Sequence, residues 1–332
     1  MIKIGIIGSG FGLYGLLPAF NSTPACKVIS ICGKKTERLV NYCKSNGLKK
    51  IYTNWQEMLD KEKLDALAIA VTPNAQYEIA KAAIKKGLHV FAEKPLAASY
   101  AQANELQKLA SKRKIVTAVD FIFPEIEEWK KVKQLLETKK YGNTTHISVN
   151  WDFLSYDVKN KIKSWKTDVS EGGGALSFYF SHTLHYLEYF AGEINDIRGL
   201  LSYSKESLHG GEVGVDALIT FKNGVRANAH LNCNSKGLNR HRLIFECEEA
   251  TMILKNRNSH TQNFTIGIYT IDHTWKLPVP KFKSRENEDE RVRLVKALTT
   301  RFIQAIVKNE KIIPSFNEGL RVQSLIEKIR GG

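Results

Sequence analysis

Cysteine is scarce, five in 332 residues (26, 32, 43, 233 and 247), an odd number without a single C-x-x-C pair. That argues against a disulfide framework or a zinc site and for free thiols in a reducing compartment. Long apolar runs are missing too. The opening "MIKIGIIGSG" breaks at glycines within a few residues, too short for a signal sequence or a membrane span, so a cytoplasmic protein with no membrane partner is expected. Acidic residues are in short supply, 34 against 49 Lys and Arg, giving a formal net charge of +15. Such a surplus favours anionic partners. The cations fall in short clusters such as "ETKKYGN" (137–143) and "KFKSR" (281–285), with no interleaved aromatics or recognition motif, so no nucleic acid is expected. Phosphate-bearing small molecules are the simpler partner.

What is present is a chain long enough for two domains and 43% hydrophobic, in the range of globular proteins. Over 1–120, short apolar runs alternate with amphipathic stretches, the pattern of β-α-β units on a parallel sheet. Strands are predicted at Lys3–Ile7, Val28–Cys32, Ala66–Val71, His89–Ala92 and Ile115–Val119, with helices over 74–87 and 99–114, the second begun by a serine cap. No repeat or low-complexity segment interrupts them. Past residue 120 the texture changes to a helix near Glu125–Thr138 followed by alternating runs, "THISVNWDF", "ALITFKNGVRANAHLNC", "RLIFECEEATMIL" and "FTIGIYTID", which read as long antiparallel strands. "KNG" (222–224) is a hairpin turn between two of them. The expected fold class is α/β: an N-terminal Rossmann domain over 1–120 and a C-terminal α+β domain over 121–332, closed by a helix, "SFNEGLRVQSLIEKI".

"IGIIGSGFG" (4–12) follows the first strand and opens a helix. Gly8 and Gly10 can turn tightly there, and with Ser9, Phe11 and Gly12 admit a pyrophosphate to the helix N-terminus. The third glycine position holds Leu13, with Gly12 one place early. At the end of the second strand, where an acidic residue would take the ribose 2′-hydroxyl of NAD, stands "ICGKKTER". Gly33 leaves room and Lys34, Lys35 and Arg38 offer charge for a 2′-phosphate, so NADP is the expected cofactor and NAD the alternative.

"DALAIAVTPNAQYEIAKAAIKKGLHVFAEKPLAAS" resembles the Gfo/Idh/MocA oxidoreductases in the segment where that family carries T-P-N, a helix, G-x-H-V and then E-K-P. The likeness extends to the glycine-rich start, "GGGALSFYFSHTLHYLEYFAG" and the C-terminal helix. It implies a Rossmann domain followed by an open, mainly antiparallel sheet that often forms the interface of a homodimer or homotetramer. It further implies cofactor contacts from Thr72, Pro73, Asn74, Gln76 and Glu93, and at Lys94 a lysine close to both substrate and nicotinamide. A cation there can polarise a carbonyl or bind the reacting hydroxyl.

The helix after "GGG" has an apolar stripe, Leu176, Phe180, Thr183, Leu184, Leu187 and Phe190, and a second stripe, Phe178, His182, His185 and Tyr189, facing away from the core. The resemblance implies a D-x-x-x-H pattern here with the histidine as proton donor or acceptor. His182 matches that histidine; Phe178 stands at the aspartate position and His185 at a later acidic one, so the chemistry leans on Lys94 or a hydroxyl such as Tyr179. His182, His185 and Glu188 sweep too far round a helix for a metal, and none is expected. In the preceding loop Trp165, Lys166 and Asp168 can form a sugar-facing wall or anchor the loop, and "VDFIFPEIEEW" (119–129) crosses between domains with Ile122 where the family often carries a polar residue. The expected function is an NADP(H)-preferring dehydrogenase or reductase acting on CH–OH groups of a sugar, cyclitol or nucleotide-linked sugar. The alternative is a non-redox role on the same scaffold, as a regulator or cofactor-assisted glycosidase.

Overall fold

The computed structural model describes residues 1–280 and 288–331, so the "KFKSR" cluster lies outside the described residues. The chain divides into two compact units, Met1–Ile122 with Ser284–Gln323, and Phe123–Lys283 with Ser324–Gly332.

In the first unit β1 (Ile2–Ile7) leads through a π-turn, Gly12–Leu16, into α1 (Leu17–Asn21). Then follow β2 (Cys26–Cys32), α2 (Glu37–Ser45), β3 (Ile51–Tyr52), α3 (Trp55–Lys61), β4 (Ala66–Ile69), α4 (Pro73–Lys85), β5 (His89–Ala92), α5 (Tyr100–Lys112) and β6 (Thr117–Val119). The strands form one parallel sheet in the order β3-β2-β1-β4-β5-β6. That order reverses between β1 and β4, the switch point where such sheets bind ligands at their carboxyl edge. β3 escapes sequence reading because two residues carry no periodicity. Local chemistry explains the helix starts: Thr36, Asn54 and Ser99 cap α2, α3 and α5, each side chain accepting from the N–H three residues on.

The second unit opens with α6 (Glu127–Glu137) and carries β7 (Thr144–Asp152), α7 (Tyr156–Lys159), α8 (Ser181–Ala191), β8 (Ile194–Ser202), β9 (Gly214–Phe221), β10 (Arg226–Asn232), β11 (Arg240–Cys247), β12 (Thr251–Arg257), β13 (Thr265–Tyr269) and β14 (Thr274–Leu277). Its eight strands run β14-β13-β12-β11-β7-β10-β9-β8. Every pairing is antiparallel except β7 with β10, and the turn at 222–224 does join β9 to β10 as a hairpin, Gly224 N–H donating to Phe221 C=O at 3.0 Å. Alternation along β7 buries Ile147, Val149 and Trp151 on one face. Against that face Trp151 stacks on His241 with centroids 4.5 Å apart, and Trp129, Tyr186 and Phe264 close round the imidazole edge-on or tilted. His241 is wholly buried, its Nε2 lies 3.0 Å from Tyr186 Oη, and burial pushes its pKa down to about 3, so it is a neutral core residue.

Two helices finish the chain, α9 (Val292–Lys308) and α10 (Phe316–Gly331). α9 belongs to the first unit, so a division at residue 120 does not capture that unit. The reason is apolar: Phe302 of α9 packs edge-on against Phe91 of β5, which packs against Phe20 of α1, while Thr299 and Thr23 meet at 2.8 Å. Each aromatic pair is worth about 0.5–1.5 kcal/mol beyond its burial.

Candidate active site

In the first unit, Gly8 leaves β1 with φ +128°, and a Cβ there would stand 2.2 Å from the Ala70 carbonyl oxygen, so only glycine makes this turn. Gly10 is the reverse case: its Cβ direction meets nothing within 4 Å, leaving open space in front of the helix. Gly12 lies against β1, its Cβ position 3.3 Å from Ile6 Cγ2. It therefore allows the close helix–strand approach normally left to the third glycine, and Leu13 is simply a core residue, 1% exposed. A turn that tight, beside open space at a helix N-terminus, fits a dinucleotide pyrophosphate.

At the end of β2 the missing Cβ of Gly33 makes room for Ser9, whose own Cβ lies 2.7 Å from that position. Lys34 and Lys35 are exposed, and Arg38 lies with its guanidinium carbon 4.1 Å above the Tyr14 ring, which packs edge-on against Tyr42. The stacking fixes a cation beside the strand end without neutralising it.

Thr72 is the N-cap of α4 and Pro73 its first residue, while Asn74 Oδ1 accepts from Gln102 Nε2 at 3.3 Å. Gln76 is 1% exposed. Its amide nitrogen donates to the carbonyls of Glu93, Pro95 and Leu96 at 2.7–3.0 Å, and its amide oxygen accepts from Glu93 N–H at 3.1 Å. Gln76 thus clamps the E-K-P turn from beneath.

Asp120 was not among the residues expected to act. β5 and β6 pair with Ala92 opposite Val119, and Asp120 N–H donates to Ala92 C=O at 2.9 Å, so Glu93 and Asp120 step off neighbouring parallel strands at one level. Glu93 Oε1 and Asp120 Oδ1 are both buried and without a hydrogen-bond partner among the described residues. Burial first, then the charge of Glu93, push the Asp120 pKa well above the usual carboxylate range, against the opposing pull of Arg291 and Lys94. Arg291 is bound to Asp289 through two hydrogen bonds of 2.8 and 2.7 Å and lies 4.2 Å above the Phe11 ring. One guanidinium is therefore within electrostatic reach of both the glycine-rich turn and the carboxyl pair. The readable signal was an acid directly after β6, on a level with the one directly after β5.

The second unit holds the histidine helix. A Cβ on Gly173 would stand 1.9 Å from the Trp165 carbonyl oxygen, and one on Gly174, where φ is +87°, 2.3 Å from the Glu212 carboxylate. Glu212 is buried and accepts from Leu176 N–H at 3.1 Å, and Arg330 pairs with it at 3.1 Å. The glycine run thus gives a buried carboxylate access to the positive end of a helix. The next turn, Leu176–Phe180, is a π-turn before α8, a rare feature frequent at functional sites. His182 is 9% exposed and packs edge-on against Phe123 at 5.0 Å. His185 is 7% exposed and burial pushes its pKa down to about 3, so it is a neutral, enclosed side chain and not part of an open ligand-facing stripe as expected.

Phe178 gathers the loop residues around it. Trp165 packs edge-on at 5.3 Å, Lys166 Nζ lies 5.3 Å from the ring centroid, and Tyr179 follows at 4.6 Å. Lys166 also reaches Asp157 at 3.8 Å. Asp168 is a loop anchor: its carboxylate accepts from Ser170 N–H and Oγ at 2.9 and 2.6 Å and faces His209 at 3.4 Å, contacts led by Ser170 that hold its pKa low. Lys94 belongs to the first unit and His182 to the second.

Comparison with known proteins agrees with this architecture. Residues 2–121 match the family described as "Oxidoreductase family, NAD-binding Rossmann fold", and 129–253 match the GFO/IDH/MocA C-terminal domain. An uncharacterised oxidoreductase of Synechocystis is 26% identical over 98% of this chain and 92% of its own length. A dTDP-3,4-didehydro-2,6-dideoxy-alpha-D-glucose 3-reductase of Actinomadura kijaniata is 23% identical over 100% and 95%. Among solved structures, levoglucosan dehydrogenase in complex with NADH and L-sorbose superposes with TM-score 0.87 at 19% identity over 99% of this chain and 96% of that one. The A. kijaniata 3-ketoreductase with NADP and TDP-benzene gives 0.84 at 20% identity over 100% and 97%. With a dinucleotide turn, an E-K-P strand end and both domain signatures in place, the chain belongs to the Gfo/Idh/MocA family of oxidoreductases.

Proposed function

We propose that the protein is an NADP(H)-preferring oxidoreductase that moves a hydride to or from a ring carbon of a sugar, cyclitol or nucleotide-linked sugar. The carrying observation is the end of β2: glycine and not a carboxylate directly follows Cys32, and Arg38 is held nearby by Tyr14, with Lys34 and Lys35 between them in sequence. A 2′-phosphate would gain charge-assisted hydrogen bonds at that point, whereas the 2′-hydroxyl of NAD has no acidic acceptor. The bound nicotinamide would supply or take the hydride. From this chain, Gly8–Gly12 would seat the pyrophosphate, Lys94 would hold the substrate oxygen and exchange its proton, and His182 would serve as a second proton donor or acceptor, without a carboxylate at position 178 to orient it. The relatives that reduce a dTDP-sugar or oxidise levoglucosan support a sugar-like substrate, and the +15 net charge supports a phosphorylated or nucleotide-linked one.

We further propose a cytoplasmic homodimer or homotetramer formed through the C-terminal sheet, where Leu200 and Leu218 are 77% and 70% exposed. The substrate-binding and association roles then fall to 121–332, less the part of the C-terminus that completes the first unit. The test of function is fluorescence titration with NADPH and NADH, followed by absorbance at the nicotinamide band with a sugar and nucleotide-sugar panel. Arg38→Met should weaken NADPH binding about 10- to 100-fold, the loss of one charged hydrogen bond, and leave NADH unchanged; equal losses for both would refute the preference. A second reading, a cofactor-binding protein without net redox turnover, draws on Phe178, whose ring is packed by Trp165 and Lys166 where the family places an aspartate. Tight cofactor binding with no turnover across the panel would favour it.

A further inference from the structure

Two carboxyls that leave neighbouring strands at one level, each with a buried and partnerless oxygen, present a proton-counting problem at the carboxyl edge of the sheet. Glu93 Oε1 and Asp120 Oδ1 are buried and find no partner among the described residues, while Glu93 Oε2 accepts from Lys94 N–H at 3.3 Å. Two ionised carboxylates would leave both oxygens unsatisfied and set like charges side by side at neighbouring strand ends. One shared proton satisfies both. The charged groups facing Asp120 are Glu93 and Lys94 from the turn after β5 and Arg291 from the start of α9. Gln76, beneath the turn from α4, is neutral and fully engaged with backbone.

Resting on the hydride-transfer reading above, we propose that the Glu93–Asp120 pair is the proton store of the site, with Asp120 a positioning residue that acts through Lys94. In the reducing direction the substrate carbonyl carbon accepts a hydride from a dihydronicotinamide and is reduced, and the cofactor is oxidised. Lys94 loses an Nζ proton to the carbonyl oxygen, forming the alcohol. Asp120 then breaks its O–H bond and returns a proton to Lys94, leaving a carboxylate that solvent reprotonates after product leaves. The oxidising direction runs the same steps backward. Charge couples the two halves: a pyridinium near the pair favours ionised Asp120, whereas the uncharged dihydropyridine does not. Burial of Asp120 favours its protonated form until that positive charge arises.

The experiment is a carbon-13 NMR titration of the Asp and Glu carboxyl signals in the full chain, run free, with NADPH and with NADP+, plus indicator-dye measurement of proton release on binding each form. Asp120→Asn identifies the Asp120 signal; should that variant fail to fold, the signal displaced in Glu93→Gln identifies it instead. The expected result is a titration midpoint well above the ordinary carboxylate value in the free and NADPH states, lowered by roughly one to three pH units with NADP+, and proton release with NADP+ only. Asp120→Asn should abolish the release while keeping NADPH affinity within about threefold. An ordinary midpoint, or one midpoint shared by both cofactor states, would overturn the proton store and leave the cofactor reading standing. Failure of both cofactor forms to bind would overturn both.

Discussion

Replacing Gly174 with alanine tests whether a buried ion pair holds the histidine helix in place. The residue has φ +87°, where a Cβ costs about 1–2 kcal/mol. The added methyl would also sit 2.3 Å from Oε2 of Glu212, so the carboxylate must move. Glu212 is 1% exposed at its side chain and Arg330 22%, and they meet at 3.1 Å. Separating one partner of such a pair costs about 3–5 kcal/mol, and the partial exposure of Arg330 argues for the lower end. The sum is about 4–5 kcal/mol, a large share of the ~5–15 kcal/mol that holds a domain together. Gly87→Ala is the control: φ is +81°, but the Cβ direction is empty to 4 Å, so only the backbone cost of about 1–2 kcal/mol remains. Urea unfolding of both variants, read as the midpoint times the slope, should separate them by about 3 kcal/mol. A difference below about 1 kcal/mol would refute the placement of Glu212.

Other consequences are directly measurable. Gly8→Ala should abolish NADPH binding, because its methyl cannot coexist with the Ala70 carbonyl 2.2 Å away, while circular dichroism stays near native; retained affinity would remove the turn from the cofactor site. Lys94→Ala and His182→Ala should each lower kcat on any substrate found, by about 100-fold or more, with cofactor Kd within a few-fold, and unchanged turnover in both would exclude them from the chemistry. His185 and His241 bind fewer protons folded, at about 3, than unfolded at ~6.5, so their contribution is present above pH 6.5 and lost as pH falls from there toward 3. Lowering pH from 6 to 5 should therefore cost roughly 2–3 kcal/mol in urea unfolding, and a flat midpoint across that interval would show that both rings charge while folded.

The first unit was legible where periodicity and punctuation coincide. β5 was expected at the residues it occupies, and the glycine turn announced itself by context. Leu13 looked like a defect because spacing alone does not reveal that Gly12 touches Ile6. The grip of Gln76 on the E-K-P turn and the approach of Ser9 to Gly33 were not legible for one physical reason: nothing in a residue's type announces which backbone or side chain it will meet. Asp120 was overlooked because its chemistry belongs to a pair, and the pairing exists only once β5 and β6 lie side by side with Ala92 opposite Val119. The π-turn at Leu176–Phe180 is similarly invisible to a 3.6-residue reading, which is why the stripe containing His185 was drawn facing outward.

Phe302, Thr299 and Arg291, all beyond the second sheet in sequence, pack on or beside groups encoded in the first 122 residues. During synthesis, then, the amino-terminal half leaves the ribosome with an apolar flank still waiting for its cover. It reaches its finished form only when α9 has emerged as well, so deleting α9 would damage the portion translated first.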